Sequence, residues 1–215
     1  MKASAKTLRQ RGRPEGISGD QSRAKLIVNA SHLFARHGYK YVKLSDVAEA
    51  SGMTAAAVYN HFESKDALFI AAVVDVYEQI AVAFNKAADF EGDWRSRLNA
   101  ILKSASEIYR THGFFQGIGN AAQTQLLRNP DIFHRILEAR LGLTKIFQAI
   151  LGDAVVAGEL PDVTNVNISV ELLMAFVING IGSVTELRNE QSDFDATVAA
   201  FRLLIDLPGQ RPDGS

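Results

Sequence analysis

The 215-residue sequence contains no cysteine, which excludes disulfides, thiolate metal sites and cysteine nucleophiles, and with them several enzyme classes. Its five histidines, His32, His37, His61, His112 and His134, show no metal-site spacing; His32 and His37, five apart on one predicted helix, are a poor pair for a single ion. No nucleophile motif accompanies them. The chain therefore reads as a non-enzyme, with no catalytic residues, no metal and no cofactor. Strand-like alternation and internal repeats are also missing, which leaves an all-α reading. No apolar run is expected to span a bilayer, since the one at 170–178 is broken by Glu171 and followed by Asn179 and Gly180. The N-terminus is basic and lacks an apolar segment, so no secretory signal, no membrane partner and a cytoplasmic location are expected.

Charge is present but unevenly placed. The formal net charge of −1 conceals 11 Lys/Arg against 6 Asp/Glu up to Phe69, and 12 against 18 beyond it. A basic front suits a polyanion, and an acidic rear does not. Length allows two helical domains behind a short arm: residues 1–19, 20–69 and 70–215. The arm lacks periodicity and carries Lys2, Lys6, Arg9, Arg11 and Arg13 against Glu15. Its core, Arg11-Gly12-Arg13-Pro14, resembles the central tetrapeptide of AT-hook segments, in which two arginines lie along a narrow minor groove; a merely solvated, flexible tail is the plain alternative.

The stretch from Leu44 to Phe69 organises the rest. It predicts two short helices joined by a tight turn, with a third starting behind them. Leu44, Val47 and Ala48 share one face of the first helix, Gly52 can take the left-handed turn, and Thr54 can cap the second. In that second helix Val58 and Phe62 point inward, which leaves Ala55, Ala56, Tyr59, Asn60 and His61 outside. This is a helix-turn-helix pattern, whose second helix enters the major groove of DNA.

The segment from Ile27 to Leu68 resembles the DNA-binding domain of the tetracycline-repressor (TetR) family. The likeness rests on Leu33, Phe34, Gly38 and Tyr39, on Asp46, Val47, Ala48 and Gly52, and on Val58, Tyr59, His61, Phe62, Ser64, Lys65, Asp66 and Leu68. The resemblance implies phosphate contacts from Thr54, Tyr59, His61 and Lys65, and base-edge or nearby backbone contacts from Ala55, Ala56 and Asn60. Where the family has a Thr followed by a Thr or Ser cap, this chain has Val42 and Lys43. Lys43 cannot cap as they do; its ammonium can reach a phosphate as a point charge, and an exposed lysine with no specific contact is the equal alternative. Alanine at position 55 can touch a thymine methyl and cannot hydrogen-bond a base, which leaves few base-reading groups beyond Asn60, so specificity is expected to lean on thymine methyls, groove shape and the arginine arm.

A helix starting at Ser64 and running through Phe84 links front to rear. Further helices are predicted at 94–111, 114–128, 129–157 and 193–207, the third opened by Asn129 and Pro130. The helix starting near Thr164 or Asn165 is apolar nearly all round from Leu172 to Ile178, so burial on all sides is expected. The resemblance implies that the rear domain dimerises through the last two long helices, where Gly180, Gly182 and Ser183 would allow close approach; relief of crowding within one subunit, or a kink, is the plain alternative. It also implies an effector site among the middle helices. The candidate lining is Tyr77, Phe84, Phe114, Phe115, Phe147, Met174 and Phe176, with Gln116, Asn120, Gln123 and Asn179 as polar groups. Aromatic and Met residues at helical spacing are also what a plain core needs. Few charges lie in this region, so a mostly apolar small effector is expected.

The leading expectation is a homodimeric transcription regulator on double-stranded DNA, a repressor released from a palindromic operator by that effector. The competing expectation is a DNA-binding assembly or architectural protein controlled by a protein partner, with no small-molecule pocket.

Overall fold

The computed structural model describes residues 18–126, 130–160, 166–180 and 192–206. Within these, every regular element is helical. In chain order they are α1 (Gly19–His37), a 3-10 turn (Tyr39–Tyr41), α2 (Leu44–Ala50), α3 (Ala55–Tyr59), α4 (Lys65–Ala88), α5 (Trp94–Thr111), α6 (Phe114–Leu126), α7 (Pro130–Val156), α8 (Val166–Met174), a π-helical segment (Ala175–Gly180) and α9 (Ser192–Asp206).

Helix starts follow local chemistry. The hydroxyl of Ser18 accepts from Gln21 N–H, and the Gln21 side chain accepts from Ser18 N–H, so α1 opens on a reciprocal cap. Thr54, Ser64 and Asp93 cap α3, α4 and α5 by accepting from the N–H three residues on. Hydrogen bonding to Ser96 holds the Asp93 carboxyl below the usual range. Glycines close the first helix and α7: Gly38 has φ +76° and Gly158 has φ +72°.

The front three helices pack on a small core of Phe34, Val47, Val58, Phe62 and Phe69, all buried. Helix α4 leaves this core and runs into the rear domain, where it packs on α5 and α7. Contrary to the expectation that nothing here could span a bilayer, α4 is long and apolar enough to do so by length and composition. Its apolar side chains are the spine of the protein core instead, with Leu68, Phe69, Val73, Val76, Ile80 and Phe84 buried.

A second expectation needs correction. The apolar helix α8 is not covered on all sides within one chain: Val170 and Met174 are buried, but Leu172 is 67% exposed. The apolar character of α8 therefore exceeds what one chain covers. Of the small residues expected at a close helix contact, Gly180 ends the π-helical segment, and Gly182 and Ser183 lie outside the described residues.

Candidate nucleic-acid interface

The front domain is built around the turn between α2 and α3. Lys43 does not cap α2 with its side chain; instead the Asp46 carboxylate accepts from Lys43 N–H at 2.8 Å, which supplies half of a reciprocal cap. Helix α2 ends at Ser51. Gly52 then takes φ +63°, and Met53 N–H returns to Ala48 C=O at 2.8 Å. The turn is fixed from outside as well, because Asn29 on α1 donates to Ser51 Oγ at 3.3 Å. Thr54 then starts α3, its hydroxyl accepting from Ala57 N–H.

On α3, Val58 is fully buried and Phe62 nearly so, as their spacing requires. The outer face carries Ala55, Ala56 and Asn60, all exposed, and Tyr59, which is 60% exposed. His61 is half-buried at its end. The side chains of Tyr59, Asn60 and His61 form no hydrogen bond with another described residue, so their polar atoms are available to an external partner. Lys43 is exposed on the same motif.

Lys65 differs from the rest. Its ammonium donates to Lys40 C=O at 3.3 Å and lies 4.3 Å from the centre of the Tyr39 ring. Burial lowers its pKa, against the nearby charges of Asp66 and Asp46. The structure thus gives Lys65 internal partners that the sequence did not reveal. Tyr39 also donates to Asp66 Oδ1, and its ring packs against Phe34 and Phe69, so α1 and the start of α4 are locked behind the motif. Tyr41, in the 3-10 turn before α2, is 73% exposed with Lys40 against its ring. Only the three-dimensional turn reveals it, because an aromatic beside a core valine reads as buried. Arg11 and Arg13 lie outside the described residues.

The rear residues expected to line an effector site divide into groups. Tyr77, Phe84, Phe147 and Met174 are buried, with Phe84 edge-on to Phe147 at 6.3 Å between ring centres. The Thr144 hydroxyl lies 3.0 Å from Met174 Sδ. Burial pushes the Tyr77 phenol up, and Arg140 opposes this. Arg140 is itself paired with Glu171 at 2.6 Å. Phe114 and Phe115 belong to a ring cluster at the junction with α1: Phe115 stacks on His112, and Phe114 lies 3.8 Å from His32. Phe176 stacks on Phe201 of α9 at 3.9 Å. Asn120 is half-buried and Gln123 is exposed, while the side chains of Gln116 and Asn179 lie outside those described.

The model for bacterial regulatory proteins of the tetR family matches residues 26–72, the segment that carries this motif. The HTH-type transcriptional repressor Rv1474c of Mycobacterium tuberculosis is 31% identical over 128 residues, which cover 53% of this chain and 68% of that protein. The HTH-type transcriptional activator FasR of Mycolicibacterium smegmatis is 28% identical over 109 residues, 46% of this chain, and the match spans 50% of FasR. The fold resembles that of the FadR regulator of Bacillus subtilis solved with stearoyl-CoA, with a TM-score of 0.72 at 16% identity over 85% of this chain and 96% of that one.

Proposed function

Because the chain belongs to the tetR family of bacterial regulatory proteins, we propose that it is a DNA-binding transcriptional repressor that works as a homodimer on a palindromic operator and is released by a small, mostly apolar effector. The observation that carries this reading is the capped α3, whose outward Tyr59, Asn60 and His61 side chains have no hydrogen-bond partner among the described residues. Thr54, Tyr59, His61 and Lys43 reach phosphates, Ala55 and Ala56 touch thymine methyls, and Asn60 reads one base edge. Lys65, Arg11 and Arg13 add positive charge around them. One such helix covers too little DNA for useful specificity, so two copies read half-sites about 34 Å apart.

The repressor sign follows the similarity to Rv1474c, whereas FasR is named an activator. The effector class follows from the apolar rear: Tyr77, Phe84, Phe115, Phe147 and Met174 supply apolar lining, and Gln116, Asn120, Gln123 and Asn179 orient the molecule. A regulator of the same fold has been solved with stearoyl-CoA, which makes long-chain acyl thioesters the first class to try. Since α4 is shared by both domains, opening the rear core moves the motif in front.

Selection from a random duplex library, followed by anisotropy titration, tests the DNA half. The expected product is a palindrome, and Asn60→Ala should cost about 1–3 kcal/mol at a single base-pair position. A preference for no sequence at all would sink the reading. Thermal melting against acyl thioesters, aromatic acids and steroids tests the effector half. A ligand at about 100 times its Kd should stabilise the protein by about 2.7 kcal/mol and weaken operator binding in return.

A further inference from the structure

A cleft of about 500 Å³ opens beside the recognition helix, between α1, the α3–α4 loop, α4 and α7. Its floor is apolar, formed on α4 by the buried Ile70 and the half-buried Ala67, Ala71 and Val74, which pack against the core at its edge. Its rim is cationic. Arg23 comes from α1 and Arg135 from α7, both exposed, and neither is paired with a carboxylate among the described residues. The Arg23 guanidinium is already placed, 5.1 Å from the centre of the Phe62 ring. Glu63 is the one acid in the lining among the described residues.

Two guanidinium groups with no carboxylate partner among the described residues, over an apolar floor, call for a particular kind of molecule. Guanidinium forks bind carboxylate, sulfonate and phosphate in two-point contacts, and the volume falls within the range of small-molecule sites. A nucleic-acid backbone would satisfy the arginines but leave the half-buried Ala67, Ala71 and Val74 without an apolar cover. We propose that this cleft is a second ligand site, distinct from the rear core, which takes a small anionic amphiphile with its head on Arg23 and Arg135 and its apolar body on the α4 floor. Tyr59, Asn60 and His61 form the remaining wall. On the DNA-binding reading above, on which this step rests, the same three residues face the duplex, so ligand and operator exclude one another.

The probe is 8-anilino-1-naphthalenesulfonate, whose fluorescence rises when its rings leave water, titrated into the full chain. The Arg23→Ala/Arg135→Ala double variant should bind it at least about 10-fold more weakly, as expected for losing charge-assisted hydrogen bonds. The uncharged analogue N-phenyl-1-naphthylamine should bind both proteins alike. Ala71→Trp, which fills the floor, should abolish binding of both dyes to the cleft. If the double variant binds the sulfonate as the parent does, the dye sits elsewhere and the site is overturned, whether or not the tryptophan variant folds. Operator duplex, with its own binding followed separately by anisotropy, should displace the dye from the parent protein. A duplex that binds while the dye stays in place refutes the exclusion. Failure of any duplex to bind condemns the DNA-binding reading instead, and the arginine dependence still decides the site.

Discussion

Tyr39 shows how one side chain ties the motif to the rest of the molecule. Its phenol donates to Asp66 at the start of α4 while its ring packs on Phe34 and Phe69 and carries Lys65 on its face. Burial first, then the hydrogen bond and charge of Asp66, push the phenol well above the ordinary tyrosine range. The folded value is raised, so this contribution is complete below the unfolded pKa of about 10 and is lost as pH rises beyond it, where unfolding releases a proton. Tyr39→Phe should therefore cost about 1 kcal/mol at neutral pH, the usual worth of such a bond, and less near pH 10.5. Urea denaturation of both proteins at the two pH values measures the gap. An equal gap at both would mean that the phenol does not hold its proton through Asp66.

At the scale of elements, the crossing of α1 and α6 sets how closely the two domains meet. A Cβ on Gly117 would come within 2.7 Å of Ala35 C=O and 2.9 Å of Ala35 Cβ, so the two backbones are in contact there. Gly142 on α7 has nothing within 4 Å of the same position. Glycine to alanine inside a helix ordinarily stabilises by about 0.5–1 kcal/mol. Gly142→Ala should gain that much. Gly117→Ala should lose about 1–3 kcal/mol, because the neighbour that must give way is main chain. Equilibrium denaturation separates the two, and a stabilised Gly117→Ala would show that the crossing tolerates a shift. This pair also marks what the sequence made legible. Thr54, Ser64 and the α2–α3 turn were readable because a cap and its partner lie three residues apart, and the inward Val58 and Phe62 because helical period places them. The contact of Gly117 with Ala35, the tie of Lys65 to Lys40, and the meeting of Arg23 with Arg135 across one cleft join distant segments, and no local pattern encodes them. The aromatic set of the rear domain was legible as apolar helix faces, but its division between the central core and the α1 junction depends on how the helices cross.

For the whole molecule, the exposed leucines of the last helices are the telling feature. Leu172 is 67% exposed on α8, and Leu203 and Leu204 are 71% and 65% exposed on α9, close in sequence to Phe176 and Phe201, whose rings stack. Large aliphatic side chains standing in water on the two helices expected to form the dimer contact have a physical reason if a second copy covers them. Leu172→Lys combined with Leu204→Lys should then give a monomer by sedimentation without lowering the melting temperature of the single chain, since neither side chain contributes to its interior. The operator readout amplifies the effect. A dimer places its second recognition helix at high effective concentration once the first has bound, and that link is worth about 10²-fold or more in affinity. The monomeric variant should thus bind a full palindrome little better than a half-site, whereas the parent should prefer the palindrome strongly. If the doubly substituted protein stays dimeric, the interface lies elsewhere. If it is monomeric yet keeps the full preference, the two half-sites are not read by two copies joined through these helices.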